Sequence, residues 1–236
     1  MELEINIDES NMKYLLAVCA VFSFTIAVCQ VPVSLSGYSA KNGANVSVAR
    51  NIISVRWPAG DNLKGQVLIN LSQEKPLFSS IGIIGRKDTS EIARDLEPVF
   101  LLTVGKRDLV SQNGWNIFFD KVPLKPFKSH LVALHKKSAS VSSRGSRTVI
   151  TIDEVTAPDF RGILQITFYN GSSLFNVAAV VTTSKDSTAI LYDAGLVGKM
   201  LTWKNISFAQ VTDKFTSVVP TFEDTATNEA VKYSTV

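Results

Sequence analysis

Residues 148–193 read TVITIDEVTAPDFRGILQITFYNGSSLFNVAAVVTTSKDSTAILYD, and this stretch decides the fold. Apolar and polar residues alternate along it in runs separated by turn-forming residues, which is typical of β-strands. At its centre lies Asn170-Gly171, the pair that best tolerates the positive φ angles of a type I′ hairpin turn. The pattern therefore predicts a four-stranded antiparallel meander.

A two-residue loop at Asn170-Gly171 fixes a register in which Tyr169 faces Ser172. The other predicted pairs are Phe168 with Ser173, Thr167 with Leu174, Ile166 with Phe175, Gln165 with Asn176 and Leu164 with Val177. This register gathers the apolar residues on one face, and a slip by one residue would turn them to the other. Thr148–Ile152 is the predicted first strand, and Ala189–Tyr192 follows a second turn at 184–187 as the fourth.

Length and composition fit one large β domain or two small ones. The chain has 236 residues, of which 45% are hydrophobic and 19% charged, so it is globular rather than disordered. Thirteen Phe, together with many Val, Ile and Thr, favour sheet over helix. We predict an all-β antiparallel sandwich or supersandwich with few or no helices after the N-terminal segment.

The N-terminal 29 residues are interpreted as an extension and a signal peptide. The run Tyr14–Cys29 is apolar but shorter than the roughly 20 residues of a membrane span, and Met12-Lys13 before it is a normal signal start. Small residues at Ala27 and Cys29 predict cleavage before Gln30, and an uncleaved anchor is the alternative. Removing one lysine and four acids would raise the net charge from +3 to +6.

Residues 30–45 are predicted as a linker or edge strand, and 46–236 as a single sandwich domain. One helix is predicted, Thr89–Glu97, because a threonine or serine can cap it and acids follow in its first turn. The further predicted strands are Val46–Trp57, Gln66–Leu71, Leu77–Ile84, Val99–Val104, Trp115–Phe119, Ser138–Ser143 (a strand or loop), Leu196–Trp203 and Ile206–Val211. Residues 229–236 alternate like a strand and then stop, as a chain cut in mid-element would.

No catalytic or metal-binding motif occurs in the sequence, and no cofactor is predicted. His130 and His135 are five residues apart, which places them on opposite faces of a strand and argues against shared coordination. Phosphate-binding glycine loops and nucleophile elbows are also missing. No pair of carboxylates at catalytic spacing is recognisable.

Two features suggest a ligand surface. Residues 121–152 contain no acid but several cations, which indicates either a face for an anionic partner or ordinary solvated strands. Four aromatic residues lie near predicted strand ends, where rings stack on sugars or plug a sandwich core. The candidate ligand-binding residues are Trp57, Trp115, Lys125, Lys128, Arg147, Tyr169, Tyr192 and Asp193.

Several segments resemble a known group of proteins. Trp57-Pro58, EKPLFSSIGI (74–83), GWNIFFDKVPLKPFKSHLVAL (114–134), FRGILQITFYNGSSLFNVAAVVTT (160–183) and AILYDAGLV (189–197) resemble the N-terminal region of large secreted bacterial proteins of uncharacterised function. Phe160–Val181 is also similar to hairpins of galactose-mutarotase-like supersandwich domains, which accompany or form carbohydrate-active enzymes. The resemblance implies a scaffold rather than a set of catalytic residues.

The expected function is that of a secreted or periplasmic, non-catalytic sandwich module associated with a polysaccharide or another cell-envelope component. One alternative is a carbohydrate-active enzyme domain of lyase or epimerase type, or a truncated remnant of one. Another is an envelope interaction protein anchored by residues 14–29. No nucleic-acid partner is expected, because the excess of positive charge is small.

Overall fold

The computed structural model describes residues 30–106, 126–199, 203, 205–210 and 214–219. Apart from Gln30, these belong to one compact unit, Val31–Val236, which is described by itself. They form an all-β, sandwich-like fold with a single short 3-10 helix, Ala40–Asn42, and no α-helix in the described ranges. The strands are β1 Val33–Gly37, β2 Asn45–Ala49, β3 Ile52–Gly60, β4 Leu63–Asn70, β5 Phe78–Ile84, β6 Thr89–Lys106, β7 Phe127–Leu131, β8 Ala133–Arg144, β9 Arg147–Ala157, β10 Phe160–Tyr169, β11 Phe175–Thr182, β12 Thr188–Gly198, β13 Ile206–Ala209 and β14 Phe215–Val218.

Two sheets contain most of these strands. The five-stranded sheet has the order β1-β8-β9-β10-β11, and the seven-stranded sheet has the order β12-β6-β5-β4-β3-β2 with β7 also paired to β6. The described pairings are antiparallel except for β1 beside β8. Strands β13 and β14 form a separate hairpin. Buried side chains from both large sheets share one hydrophobic core, so they pack as the two layers of a sandwich.

An aromatic cluster lies in this core and joins the two sheets. The Trp57 ring of β3 lies 4.8 Å from the ring of Phe168 in β10 and 6.1 Å from that of Phe175 in β11. Phe78 of β5 contacts Phe175 at 5.8 Å. Trp57 is 2% exposed, and its Nε1 donates a 2.8 Å hydrogen bond to the carbonyl oxygen of Ser172. The indole thus buries its apolar surface and satisfies its polar atom across the sandwich.

Gly65 makes room for the indole. It lies opposite Trp57 in the β3–β4 pair, and a Cβ atom at this position would overlap the six-membered part of the indole ring. A glycine here therefore lets the ring lie flat over the neighbouring strand. Cross-strand packing of an aromatic ring over glycine compensates for the missing side chain.

The hairpin at the centre of residues 148–193 exists, but its predicted register is wrong by two residues. Phe168 pairs with Phe175, Ile166 with Val177, and the loop is the five-residue segment Asn170–Leu174. A shift of two preserves the side-chain parity of a strand, so the predicted apolar face stays intact. The loop is longer because Ser172 and Gly171 bond to β3: Gly171 N donates to Pro58 O at 2.8 Å.

The predicted four-stranded meander is wrong in its last strand. β9, β10 and β11 are consecutive in the five-stranded sheet, whereas β12 pairs with β6 in the other sheet. The turn at 184–187 is therefore a crossing between sheets. Alternation along a strand reports which face is buried, not which neighbour supplies the hydrogen bonds.

The predicted helix Thr89–Glu97 is also wrong, because these residues begin the long strand β6. Ala93 and Leu96 are the buried residues of this segment, and their three-residue spacing differs from the two-residue alternation of a regular strand. The spacing arises from a kink: Asp95 has a positive φ of 52°, and the inward-facing parity changes around it. Pairing with β5 overrides the local helical preference.

The remaining strand predictions are largely confirmed within the described residues. Residues 30–45 were predicted to be a linker or an edge strand, and they contain the edge strand β1. Val46–Trp57 is two strands rather than one, because Arg50 turns the chain with a φ of 53°. The predicted strand Leu196–Trp203 is wrong in its bounds, since Leu196 lies inside β12, which ends at Gly198. Trp115–Phe119 and residues 229–236 lie outside the described residues.

Gly65→Ala tests the role of the indole in the fold. We expect it to lower the free energy of unfolding by about 2–4 kcal/mol, because the new methyl group displaces Trp57 from the core. Gly195→Ala on β12 is the matched control, since a Cβ atom there meets nothing within 4 Å. Urea denaturation followed by tryptophan fluorescence measures both. Equal stability of the two variants would contradict the packing described.

Candidate functional site

The structure separates the candidate ligand residues instead of gathering them. Trp57 belongs to the core and is not available to a ligand in solution, which corrects its assignment as a sugar platform. Trp115 and Lys125 lie outside the described residues. Of the others, Arg147 and Tyr169 lie in the five-stranded sheet. Lys128, Tyr192 and Asp193 lie in the seven-stranded sheet.

Arg147 and Tyr169 form a pair. They are directly opposite each other on β9 and β10, and the Arg147 guanidinium carbon lies 5.4 Å from the centre of the Tyr169 ring. This is a cation–π contact. The arginine covers a face of the ring that would otherwise stack on a sugar. Arg144 lies across the β8–β9 turn from Arg147, so this corner of the sheet is cationic.

Tyr192 and Asp193 point to opposite faces of β12, because they are consecutive in a strand. They therefore do not face one cleft together. Tyr192 is 73% exposed and pairs with Leu102, which in turn pairs with His130. Cross-strand partners share a face, so Tyr192 and His130 are on the same side of the ribbon formed by β7, β6 and β12.

A cleft of about 540 Å³ lies at the end of this ribbon, and we call it the end cleft. Its floor is the end of β6 and the start of β7, and its wall is made by the β9–β10 turn and the β11–β12 connection. It is lined by Val104, Gly105, Lys106, Pro126, Phe127, Lys128, His130, Pro158, Asp159, Lys185, Asp186, Ser187 and Thr188. Its volume falls within the range of small-ligand sites. Lys128 is the candidate ligand residue that lines it.

Cations outnumber acids in the end cleft. Three lysines line it against two aspartates, and Lys185 Nζ lies 2.8 Å from Asp159 Oδ2 in an ion pair. The other ion pairs among the described residues are Arg94–Glu91, Lys136–Glu97 and Lys137–Glu154. None of them neutralises Lys106 or Lys128. These two ammonium groups are therefore the cleft's cations with capacity for an anionic ligand.

Apolar and hydrogen-bonding groups accompany the charges. Phe127 is 50% exposed, although phenylalanine side chains favour burial. Pro126 and Pro158 add flat apolar surface, and the His130 imidazole can both donate and accept. A second recess of about 440 Å³ shares Asp159 with the end cleft, so the Asp159–Lys185 pair lies between two concave surfaces.

Sequence reasoning missed Lys106, Phe127 and Lys185. Lys106 and Lys185 lie far apart in sequence and outside the acid-free segment 121–152, and they meet because β12 crosses to β6. The available signal was local: turn residues precede β12, and an apolar strand ends in a lysine at Lys106. His130 and His135 lie on β7 and β8, which belong to different sheets.

Lys136 is a buried cation with a structural role. It is 2% exposed, lies in an irregular part of the β8–β9 pair, and has a positive φ of 46°. Its Nζ donates to Lys75 O at 2.6 Å and to Ser72 O at 3.4 Å, and lies 3.6 Å from Glu97 Oε2. Burial lowers the pKa of Lys136, and the Glu97 carboxylate opposes this shift. The lysine ties the β4–β5 loop to the other sheet.

Two kinds of feature are absent from the described residues. No group of three or more His, Cys, Asp or Glu side chains there is placed to hold a metal ion. None of the helices in those ranges is long and apolar enough to cross a membrane. Residues 14–29 lie outside those ranges.

Lys136→Met tests this buried contact. It removes the ammonium donor from Lys75 O, Ser72 O and the Glu97 carboxylate, so we expect a loss of about 3 kcal/mol in the free energy of unfolding. Lys137→Met is the matched control, because Lys137 is exposed and its removal costs little. The same urea experiment measures both. A Lys136→Met variant as stable as the control would contradict the role given to Lys136.

Titration provides an independent test of the same lysine. Because the folded-state pKa of Lys136 lies below the ordinary 10.5, the unfolded chain binds more protons between the two values. Wild-type stability should therefore rise with pH through that window relative to Lys136→Met. Urea midpoints measured from neutral pH to about 10.5 show the difference. A constant difference between the two proteins would contradict the lowered pKa.

Comparison with known proteins adds no family. No protein-family model matches the chain, and no curated protein matches it. The end cleft, with two lysines that form no ion pair with another described residue, is therefore the basis for a functional assignment.

Proposed function

We propose that the chain is a non-catalytic sandwich module of a secreted or periplasmic protein and that it binds an acidic saccharide in the end cleft. The observation that carries this is the combination of Lys106, Lys128 and half-exposed Phe127 in one concave site. The apolar run at residues 14–29 supports export of the module. Detection of a mature N-terminus at Gln30 by mass spectrometry would test export, whereas an intact N-terminus would favour the anchored alternative.

The ligand class follows from the groups in the cleft. Ammonium groups bind carboxylates or sulfates as point charges. An aromatic ring such as Phe127 packs on the apolar C–H face of a pyranose, and His130 and Asp159 can bond to hydroxyl groups. A polyanionic saccharide presents all three kinds of surface in one repeating unit. A neutral saccharide would leave both lysines uncompensated.

The acids of the end cleft support binding more than catalysis. Asp159 lies in the β9–β10 turn and Asp186 in the β11–β12 connection, so both belong to the same wall. Asp159 is held by Lys185. Glycosidic acid/base chemistry uses two carboxyl groups that flank the scissile bond. The candidate tyrosines that would suit a lyase do not line the end cleft: Tyr169 lies with Arg147 in the other sheet, and Tyr192 lies on β12 outside the lining of the cleft.

Lys106→Gln/Lys128→Gln tests the proposal. On an array of acidic and neutral polysaccharides, the wild-type protein should bind acidic members, and the double variant should bind them about 100-fold more weakly, since each charged hydrogen bond contributes about 1.5–3 kcal/mol. Lys41→Gln/Lys64→Gln is the matched control: it removes the same charge from two exposed lysines that do not line this cleft.

Three outcomes would contradict the proposal. One is the absence of binding to any saccharide, and another is equal loss of affinity in the two double variants, which would indicate a diffuse charge effect. The third is release of shortened or unsaturated sugars during incubation with acidic polysaccharide. That result would favour the alternative of a carbohydrate-active enzyme.

A further inference from the structure

Strand β11, Phe175–Thr182, forms one edge of the five-stranded sheet. Its eight residues pair with β10 without interruption, and no other described strand pairs with its outer side. The backbone N–H and C=O groups along that side are thus open to another strand. An edge strand of this kind is a template for β-strand addition.

β11 lacks the features that normally protect an edge. Its sequence FNVAAVVT contains no charge, proline or glycine, and its register shows no bulge. The opposite edge, β1, has only five residues and an irregular register. The edge strands of the other sheet are β2 and β7, which have five residues each, and β12, which carries Asp193 and two glycines. Val180 of β11 is 47% exposed on the outer face of the sheet.

We propose that β11 pairs with β11 of a second copy of this chain, antiparallel across a two-fold axis at Ala179. Residues of like face must lie opposite each other, so the two-fold axis must pass through a residue. Axes at the two central residues, Ala178 and Ala179, give equal overlap, but an axis at Ala178 would place Asn176 opposite the apolar Val180. Pairing Ala179 with its own copy matches Val177 with Val181 on the inner face. It matches Ala178 with Val180 and Asn176 with Thr182 on the outer face. All of these pairs are apolar or small and polar, so β11 is complementary to itself.

Charge does not oppose this pairing. The nearest cation along the strand is Lys185, six residues beyond the axis. The two copies of Lys185 would therefore lie about 40 Å apart, at roughly 3.3 Å per residue over twelve steps. Val177, Ala179 and Val181 are partly buried against the core, and the second copy would cover the rest of their surface. The product is a continuous ten-stranded sheet shared by two molecules.

Val180→Lys tests the interface. It places two ammonium groups diagonally across the paired strands, and we expect the dissociation constant of the dimer to rise at least about tenfold. Val197→Lys is the matched control, since Val197 is 53% exposed on β12, an edge of the other sheet. Sedimentation equilibrium of the purified protein over a range of concentrations should give a mass approaching twice the 25.7 kDa of the chain for wild type and control.

Hydrogen exchange of the wild-type protein tests the same interface if the Val180→Lys variant does not fold. Amide protection of β11 in the wild-type protein should rise with protein concentration, while that of β12 stays constant. A chain that remains monomeric at every concentration would overturn the proposal, as would a dimer that Val197→Lys disrupts and Val180→Lys does not. Concentration-independent protection of β11 in a monomer would show that another segment of the same chain occupies this edge.

Discussion

The sandwich depends on one indole ring that contacts both of its sheets. Trp57 lies over Gly65 within its own sheet, packs against Phe168 and Phe175 of the other, and bonds through Nε1 to Ser172 O. The loop after β10 consequently connects the two sheets through hydrogen bonds. Gly171 N bonds to Pro58 O and Asn170 Nδ2 to Asn42 O, so backbone and side chain bonds surround the indole. Van der Waals contact and satisfied polar atoms coincide at this point, which makes it a strong constraint on how the two layers align.

The hydrogen bonds of this loop, Asn170–Leu174, explain why local turn rules predicted the two strands correctly but not their register. Asn170-Gly171 satisfies the preferences of a two-residue hairpin, and Gly171 does have a positive φ of 88°. In an isolated hairpin, nothing would favour a five-residue loop over the two-residue turn. Here the bonds from Ser172 and Gly171 to β3 compete with the tighter turn, and tertiary contacts decide. The resulting shift of two residues does not change which side chains share a face of the strand, so the predicted apolar face was right.

Sequence reasoning found part of the candidate site for an equally physical reason. Lys128 was identified because it lies in a segment without acids, a signal that is local. Lys106 and Lys185 are marked locally only by the end of an apolar strand and by turn residues before β12, and they meet where β12 crosses between sheets to pair with β6. Trp57 was misassigned because an aromatic residue near a strand end looks the same in sequence whether it plugs a core or meets a ligand. The presence of Gly65 opposite Trp57 distinguishes a core tryptophan from a ligand-binding one. This can be recognised only when the register of β3 and β4 is known.

β6 has 18 residues, and its two halves pair with different strands. Thr89–Leu96 pairs with β5 beside the shared core, whereas Leu96–Lys106 supports β12 and leads to the end cleft. The contacts that align the layers therefore lie apart from the side chains that line the cleft. Changes at Lys106, Phe127 or Lys128 are separated from the Trp57 cluster by most of a strand. Substitutions that line the end cleft can therefore change its charge and shape while the packing between the two layers is retained.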